Sequence, residues 1–179
     1  INAETPPHLL DDDITPNHLH FVRNNGVMPE VESAQNWRFT VEGTVYRPMT
    51  FSLNDLSQQF EVVHMALQLE CGGNGRAGFT PAARGNQWTT GAIGNAVWTG
   101  VRLVDVLAAV GVKAEAVYTA HCSADTHLSG DPEKLPISRG MPLAKAIQPN
   151  TLLAFAMNGE PLPLLHGGPL RVVAPGWPG

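Results

Sequence analysis

The chain has 179 residues, 43% hydrophobic and only 15% charged, which supplies one sizeable core and excludes a disordered polymer. Its 18 glycines and 15 prolines break the backbone too often for a bundle of long helices. The formal charge is -5, and the lysines and arginines are scattered singly, so no basic footprint for nucleic acid exists.

In chain order, the first ~20 residues carry Asp11, Asp12 and Asp13 among prolines and show no periodicity. They read as an extended arm that the domain's own sheet or a partner surface must hold. Trp37 to Tyr46 is β-branched and aromatic with Glu42-Gly43 at its middle, a hairpin pattern. Ser52 and Asp55 form a capping-box variant leading into the short helix LSQQF. From Glu61 to Glu70, Val63, Met65, Leu67 and Leu69 point one way while His64, Ala66, Gln68 and Glu70 point the other, which is a clear strand.

Thr99 to Gly111 carries Val101, Leu103, Val104, Leu107, Ala108 and Val110 at helical spacing, with Gly111 as the stop. Ala114 to Cys122 reads as a strand, and Pro142 with LAKAI as a short helix. Thr151 to Met157 is a further strand closed by the tight turn Asn158-Gly159, and Leu170 to Ala174 is another. Strands and short helices alternate without the regular rhythm of a doubly wound sheet. The expected class is therefore α+β, with mixed β-sheets and short helices in one domain over 1–179.

Two cysteines, Cys71 and Cys122, make no disulfide framework, although one bridge between them is geometrically open. No window approaches the ~20 apolar residues of a membrane span. The start at Ile1 fits a processed or partial chain, and the ending Pro-Gly-Trp-Pro-Gly reads as an interrupted turn, so further sequence is expected beyond Gly179.

Chemistry concentrates after the clearest strand, in Glu70-Cys71-Gly72-Gly73-Asn74-Gly75-Arg76. Gly73, Gly75 and Gly78 match the dinucleotide fingerprint, but Phe79-Thr80-Pro81 follows where that fingerprint needs a helix, and no acid stands at the ribose position. Alternatively, Cys71 is a thiolate ligand beside glycines that let a bulky cofactor approach, with Arg76 favouring the deprotonated sulfur. The plain alternative is a buried structural cysteine.

His121, Cys122, Asp125 and His127 offer zinc-type ligands, yet a strand places His121 and Cys122 on opposite faces. His18 and His20 share a face of an extended segment and lack a third ligand. In His166-Gly167-Gly168-Pro169-Leu170-Arg171 a histidine and an arginine straddle two glycines, an arrangement suited to one anionic group. Standing alone, it would read as a loop histidine and a strand-end arginine.

Five blocks then occur in order: HFVRN at 20–24, ECGGN at 70–74, WTTGAIGNAVWTG at 88–100, MNGEPLP at 157–163 and HGGPLRVVAPG at 166–176. Together, from about Ile14 to Gly179, they resemble the molybdopterin-binding domain of the sulfite oxidase family. That resemblance implies Cys71 as the protein thiolate on molybdenum, a soft ligand suited to such a centre. It assigns molybdopterin contacts to His20, Phe21, Val22, Arg23, Asn24 and Asn25, to Asp125 by a looser alignment, and to His166 and Arg171. Arg23 would also meet the substrate, and Arg76 would lie near the same anion. The catalytic set is thus Arg23, Cys71 and Arg76.

The implied reaction is oxygen-atom transfer from the molybdenum cofactor to sulfite, yielding sulfate, with electrons passed to a separate acceptor such as a c-type cytochrome. The resemblance equally allows a same-fold enzyme that reduces S-oxides or oxidises sulfane sulfur, and a cofactor-free binding module is the non-enzymatic alternative. The family's later pterin-binding lysine, active-site tyrosine and dimerisation domain fall outside these 179 residues, so a homodimer is expected only of a longer chain. Asn25 stands where animal members carry histidine, which points to a bacterial branch and hence to a periplasmic location.

Overall fold

The computed structural model describes residues 1–131, 133–134 and 138–178. In chain order its elements are β1 (Asn2–Ala3), β2 (Val22–Arg23), β3 (Gly26–Val27), β4 (Arg38–Val41), β5 (Met49–Ser52), α1 (Leu53–Gln59), β6 (Val62–Glu70) and β7 (Ile93–Arg102). There follow α2 (Leu103–Val110), β8 (Tyr118–Cys122), β9 (Thr126–His127), β10 (Ser138–Pro142), α3 (Leu143–Ala146), β11 (Leu152–Met157), β12 (Glu160–Pro161) and β13 (Arg171–Val173). This is the α+β architecture of open sheets and short helices. No helix among the described residues is long and apolar enough to cross a membrane.

The frame is a five-stranded sheet in the order β12-β11-β7-β6, with β13 on the edge of β11 beside β12. Its neighbours pair antiparallel, and β6 runs along β7 from Val62↔Val101 to Glu70↔Ile93. Side chains alternate between its faces. Ala96, Trp98, Leu152 and Ala154 enter one core with Phe21, Leu69 and Trp88, while Val101 and Leu153 enter a second core with α1 and α2. The site described below lies on the first core.

The alternation expected from Glu61 to Glu70 holds, with Val63 and Leu69 buried and His64, Ala66, Gln68 and Glu70 exposed. The capping box is complete: Ser52 Oγ accepts from the Asp55 N–H (3.0 Å), and Asp55 Oδ2 accepts from the Ser52 N–H (2.8 Å). Gly111 ends α2 at φ +70°, and Asn158-Gly159 turns β11 into β12.

Several expectations need correction. The helix from Thr99 starts only at Leu103, because Thr99 to Arg102 complete β7, which runs into α2 without a linker. Val101 therefore belongs to a strand buried on both faces, and its spacing to Leu103 and Leu107 is incidental. The hairpin from Trp37 to Tyr46 does not close at Glu42-Gly43; β4 pairs with β5, Phe39 opposite Phe51, their rings stacked at 5.5 Å. Val45 is buried in the second core and bridges Val112, which pulls Thr44 to Tyr46 away from β4. The strand expected from Ala114 begins at Tyr118, after a turn in which the Ala116 N–H donates to the Lys113 carbonyl. The strand from Thr151 starts at Leu152, and that from Leu170 spans Arg171–Val173.

The amino-terminal arm is held by the domain itself. β1 pairs with β2, the Thr5 N–H donates to Gly91 O (2.9 Å), and the Thr15 N–H donates to Asn95 O (2.7 Å). A Cβ on Gly91 would overlap the Thr5 carbonyl oxygen, so this approach requires glycine.

Candidate functional site

Cys71 is the first residue beyond β6, and its N–H donates to Ala92 O (2.9 Å), carrying the β6–β7 ladder one step further. The half-buried thiol packs against the core that holds Phe21, Leu69, Trp88 and Ala92. Asn74 fixes the loop that follows: its N–H donates to Cys71 O (2.9 Å), its Oδ1 accepts from the Ala92 N–H (3.0 Å), and its Nδ2 donates to Glu70 Oε1 (3.0 Å). A Cβ on Gly72 would touch the Pro178 ring at 3.4 Å, so the last described residues run beside the cysteine loop. Gly73, Gly75 and Gly78 belong to a tight turn with a single 3-10 segment, Arg76–Gly78, which is no phosphate-binding helix.

Arg76 lies flat across two glycines. A Cβ on Gly73 or Gly85 would collide with its guanidinium, and its Nη1 donates to the Asn86 carbonyl (3.0 Å). Nearby, Asn86 Nδ2 and Trp88 Nε1 are buried donors without a partner among the described residues.

A cavity of about 220 Å³ gathers six of the residues expected in the sequence: His20, Phe21, Arg23, Asn24, His166 and Arg171. They come from the segment running through β2 and from the stretch between the turn at His166 and the start of β13. His20 is buried, stacked on Phe21 (5.0 Å between centroids) and edge-on to Trp98 (6.0 Å) and His166 (5.4 Å). Its Nδ1 faces the Phe21 carbonyl at 3.2 Å, and its Nε2 rests against the Gly94 backbone, with no hydrogen bond of normal geometry among the described residues. Burial pushes its pKa down to about 4, aided by the charges of His166 and Arg171, so the ring is neutral at pH 7.

His166 is buried with Nε2 3.0 Å from the Asn17 carbonyl, and desolvation lowers its pKa as well. Arg171 donates from Nη1 to the His166 carbonyl (2.7 Å) and lies over the Trp98 ring at 5.2 Å. Desolvation pushes its pKa down to about 10, which leaves it charged at neutral pH. The ion pairs of the described residues are Arg102 with Glu61 and Asp105, and Lys134 with Asp131; neither Arg23 nor Arg171 meets a carboxylate. Arg171 is thus a desolvated cation without a counter-charge among the described residues, which is costly, and an anionic ligand removes that cost.

Of the remaining expected residues, Val22 is buried in the β1–β2 pair, and Asn25 links β2 to β3. Asp125 lies against Gly26, where a Cβ would come within 2.6 Å of its own Cβ, and burial raises its pKa. It therefore stands at the far end of the HFVRN segment and does not line the cavity. Leu165, Gly167 and Val172 complete the cavity wall, and Trp98 supports Arg171; the sequence signalled these only through their neighbours. Glu4 was missed altogether: it lies in the aperiodic arm, yet its carboxylate accepts from the Thr89 N–H (2.8 Å), the Gly91 N–H (3.1 Å) and the Thr89 hydroxyl (3.0 Å).

The zinc-type residues do not converge, and no cluster of three metal-binding side chains forms among the described residues. His121 bonds the Thr119 hydroxyl (3.0 Å), Cys122 is exposed, and His127 pairs with Ser129 (2.8 Å). Both thiols are free.

The geometry fits a molybdopterin. A half-buried thiol stands in a glycine-bounded loop, a buried imidazole nitrogen of the cavity wall has no hydrogen bond of normal geometry among the described residues, and the desolvated Arg171, without a counter-charge, suits the phosphate of such a group. Comparison with known proteins gives the same answer. The family model described as oxidoreductase molybdopterin binding domain matches residues 25–179. Mitochondrial sulfite oxidase of Homo sapiens is 39% identical over 186 residues, covering 98% of this chain and 32% of that protein. Nitrate reductase [NAD(P)H] of Hordeum vulgare is 36% identical over 184 residues, covering 99% of this chain and 20% of the relative. The crystal structure of the sulfane dehydrogenase SoxCD from Paracoccus pantotrophus superposes with a TM-score of 0.82 at 34% identity, over 98% of this chain and 42% of that one. The chain thus spans about a third of the length of the sulfite oxidases it matches.

Proposed function

The chain belongs to the oxidoreductase molybdopterin binding domain family, and on that premise we propose that it is the cofactor-holding domain of an enzyme that oxidises sulfite to sulfate. The observation that carries the reading is the cavity in which Arg23 and Arg171 stand without counter-charges. When bound, the molybdenum cofactor supplies the two-electron couple and the oxygen that is transferred.

The chain's own residues do the rest. The Cys71 thiolate is the metal's protein ligand. Arg171, with His166 and the neutral His20 beside it, holds the anionic end of the pterin. Arg23 attracts and orients the substrate anion with its forked donors. Arg76 shapes the Asn86 and Trp88 wall and is the second candidate for substrate contact. Electrons leave singly to a separate acceptor, for which a c-type cytochrome is suited.

The match to a sulfane dehydrogenase favours a second reading on the same site, the oxidation of sulfane sulfur. Steady-state turnover of the molybdenum-loaded, full-length enzyme separates the two. Sulfite-dependent reduction of ferricyanide or cytochrome c supports sulfite oxidation. Inertness to sulfite with turnover of a sulfane donor overturns it in favour of the second reading.

A further inference from the structure

Asn2 stands between two cavities. It lines the larger one, of about 310 Å³, together with Glu4, Asn86 and Trp88, and it bonds the arginine that lines the other. In the β1–β2 ladder Asn2 lies directly opposite Arg23. Its Oδ1 accepts from the Asn24 N–H at 2.9 Å and from Arg23 Nη1 at 3.4 Å, and the same Nη1 donates to the Asn24 carbonyl at 2.6 Å. One corner of the guanidinium is thereby pinned, while no partner among the described residues engages Nε or Nη2.

The acceptor that pins Arg23 is neutral. A carboxylate there would bind the arginine more strongly and cancel its charge. The nearest acid along the chain, Glu4, lies just beyond β1 and is turned elsewhere, its carboxylate occupied by Thr89 and Gly91. We infer that Asn2 is a positioning residue, which fixes one corner of Arg23 with an uncharged acceptor so that its remaining donors and full charge serve a small anionic substrate. This rests on the sulfite reading above.

Asn2→Asp tests it, because aspartate keeps the size and the accepting oxygen while adding a negative charge; the amide NH2 it removes has no partner among the described residues. Asn2→Ala removes the acceptor. Both are made in the molybdenum-loaded full-length enzyme and read by KM and kcat for sulfite, by molybdenum content, by thermal midpoint, and by calorimetric titration with sulfate, which needs no turnover. Asn2→Asp is expected to raise KM and the sulfate dissociation constant about tenfold, with kcat within about twofold and molybdenum content and midpoint unchanged. Asn2→Ala raises both constants less.

An aspartate variant that matches the parent, beside an alanine variant with a lowered midpoint, overturns the inference and makes Asn2 a structural staple. Loss of molybdenum from Asn2→Asp with an unchanged KM per metal also overturns it, since that edge of Arg23 would then serve the cofactor. A parent enzyme that neither turns over sulfite nor binds sulfate overturns the sulfite reading itself and the inference with it.

Discussion

The two cysteines sit in segments that look comparable in sequence, each at a strand end and each near other ligand-type residues. Their surroundings differ. Cys71 is half-buried against the first core, its backbone is tied to Ala92, and its loop is fixed by the three hydrogen bonds of Asn74. Cys122 ends the exposed β8, in a two-stranded sheet with β10, and its neighbour His121 is turned toward Thr119. A rigid frame, more than the residue types gathered there, is what sets Cys71 apart as the candidate ligand.

The largest expected effect tests that contrast directly. In Cys71→Ser the molybdenum content of the purified protein should fall to background, because serine offers a harder and far less acidic donor. Cys122→Ser should retain full metal. Metal analysis of the two variants breaks the comparison if Cys71→Ser stays loaded or if Cys122→Ser does not.

Histidines sharpen it. His20 in the cavity has a pKa of about 4 against an ordinary value of 6.5, while His121 beside Cys122 is also lowered by desolvation. A depressed histidine is neutral in the fold while the unfolded chain takes up a proton, so stability falls as pH drops from 6.5 toward 4. For His20 alone the loss reaches about 3 kcal/mol by pH 4. His166 and Arg171, which face the ring, act in the same direction. Urea midpoints of the cofactor-free protein at pH 7 and 4.5 should diverge much less in His20→Gln than in the parent. A smaller flattening is expected for His121→Gln, and equal slopes in parent and His20→Gln would contradict the burial argument.

Much of this was legible in the residues. Strict alternation revealed β6 because one of its faces is covered and the other is not. Cys71 and the His166/Arg171 pair stood out because glycines flank them, and the HFVRN segment only through its resemblance to a family block. β7 was harder to see: Gly94, Asn95 and Gly100 break its apolar alternation, Trp98 to Val101 are buried on both faces, and its end merged with the stripe of α2. Glu4 and Asn2 were invisible because their partners are backbone amides and an arginine far along the chain, and no local pattern encodes such contacts.

Glu4 supplies the smallest expected effect. Desolvation raises its pKa, but the hydrogen bonds from Thr89 and Gly91 outweigh that and leave the carboxyl below its ordinary 4.5. Such a carboxylate stabilises the fold above its unfolded pKa, and the contribution disappears as pH falls through the depressed value. Glu4→Gln keeps one accepting oxygen and loses the charge, so it should cost about 1 kcal/mol at pH 7 and progressively less as pH falls below 4.5 through the depressed value. The Thr89 and Gly91 amides should exchange hydrogen faster in the variant, whereas amides of the β8–β10 pair should be unaffected. Because Gly91 leads into Ala92, which bonds both Cys71 and Asn74, faster exchange confined to Thr89 and Gly91 would show that Asn74 alone keeps the cysteine loop rigid. Exchange that spreads to Cys71 and Asn74 would make the amino-terminal arm part of the frame that distinguishes Cys71 from Cys122.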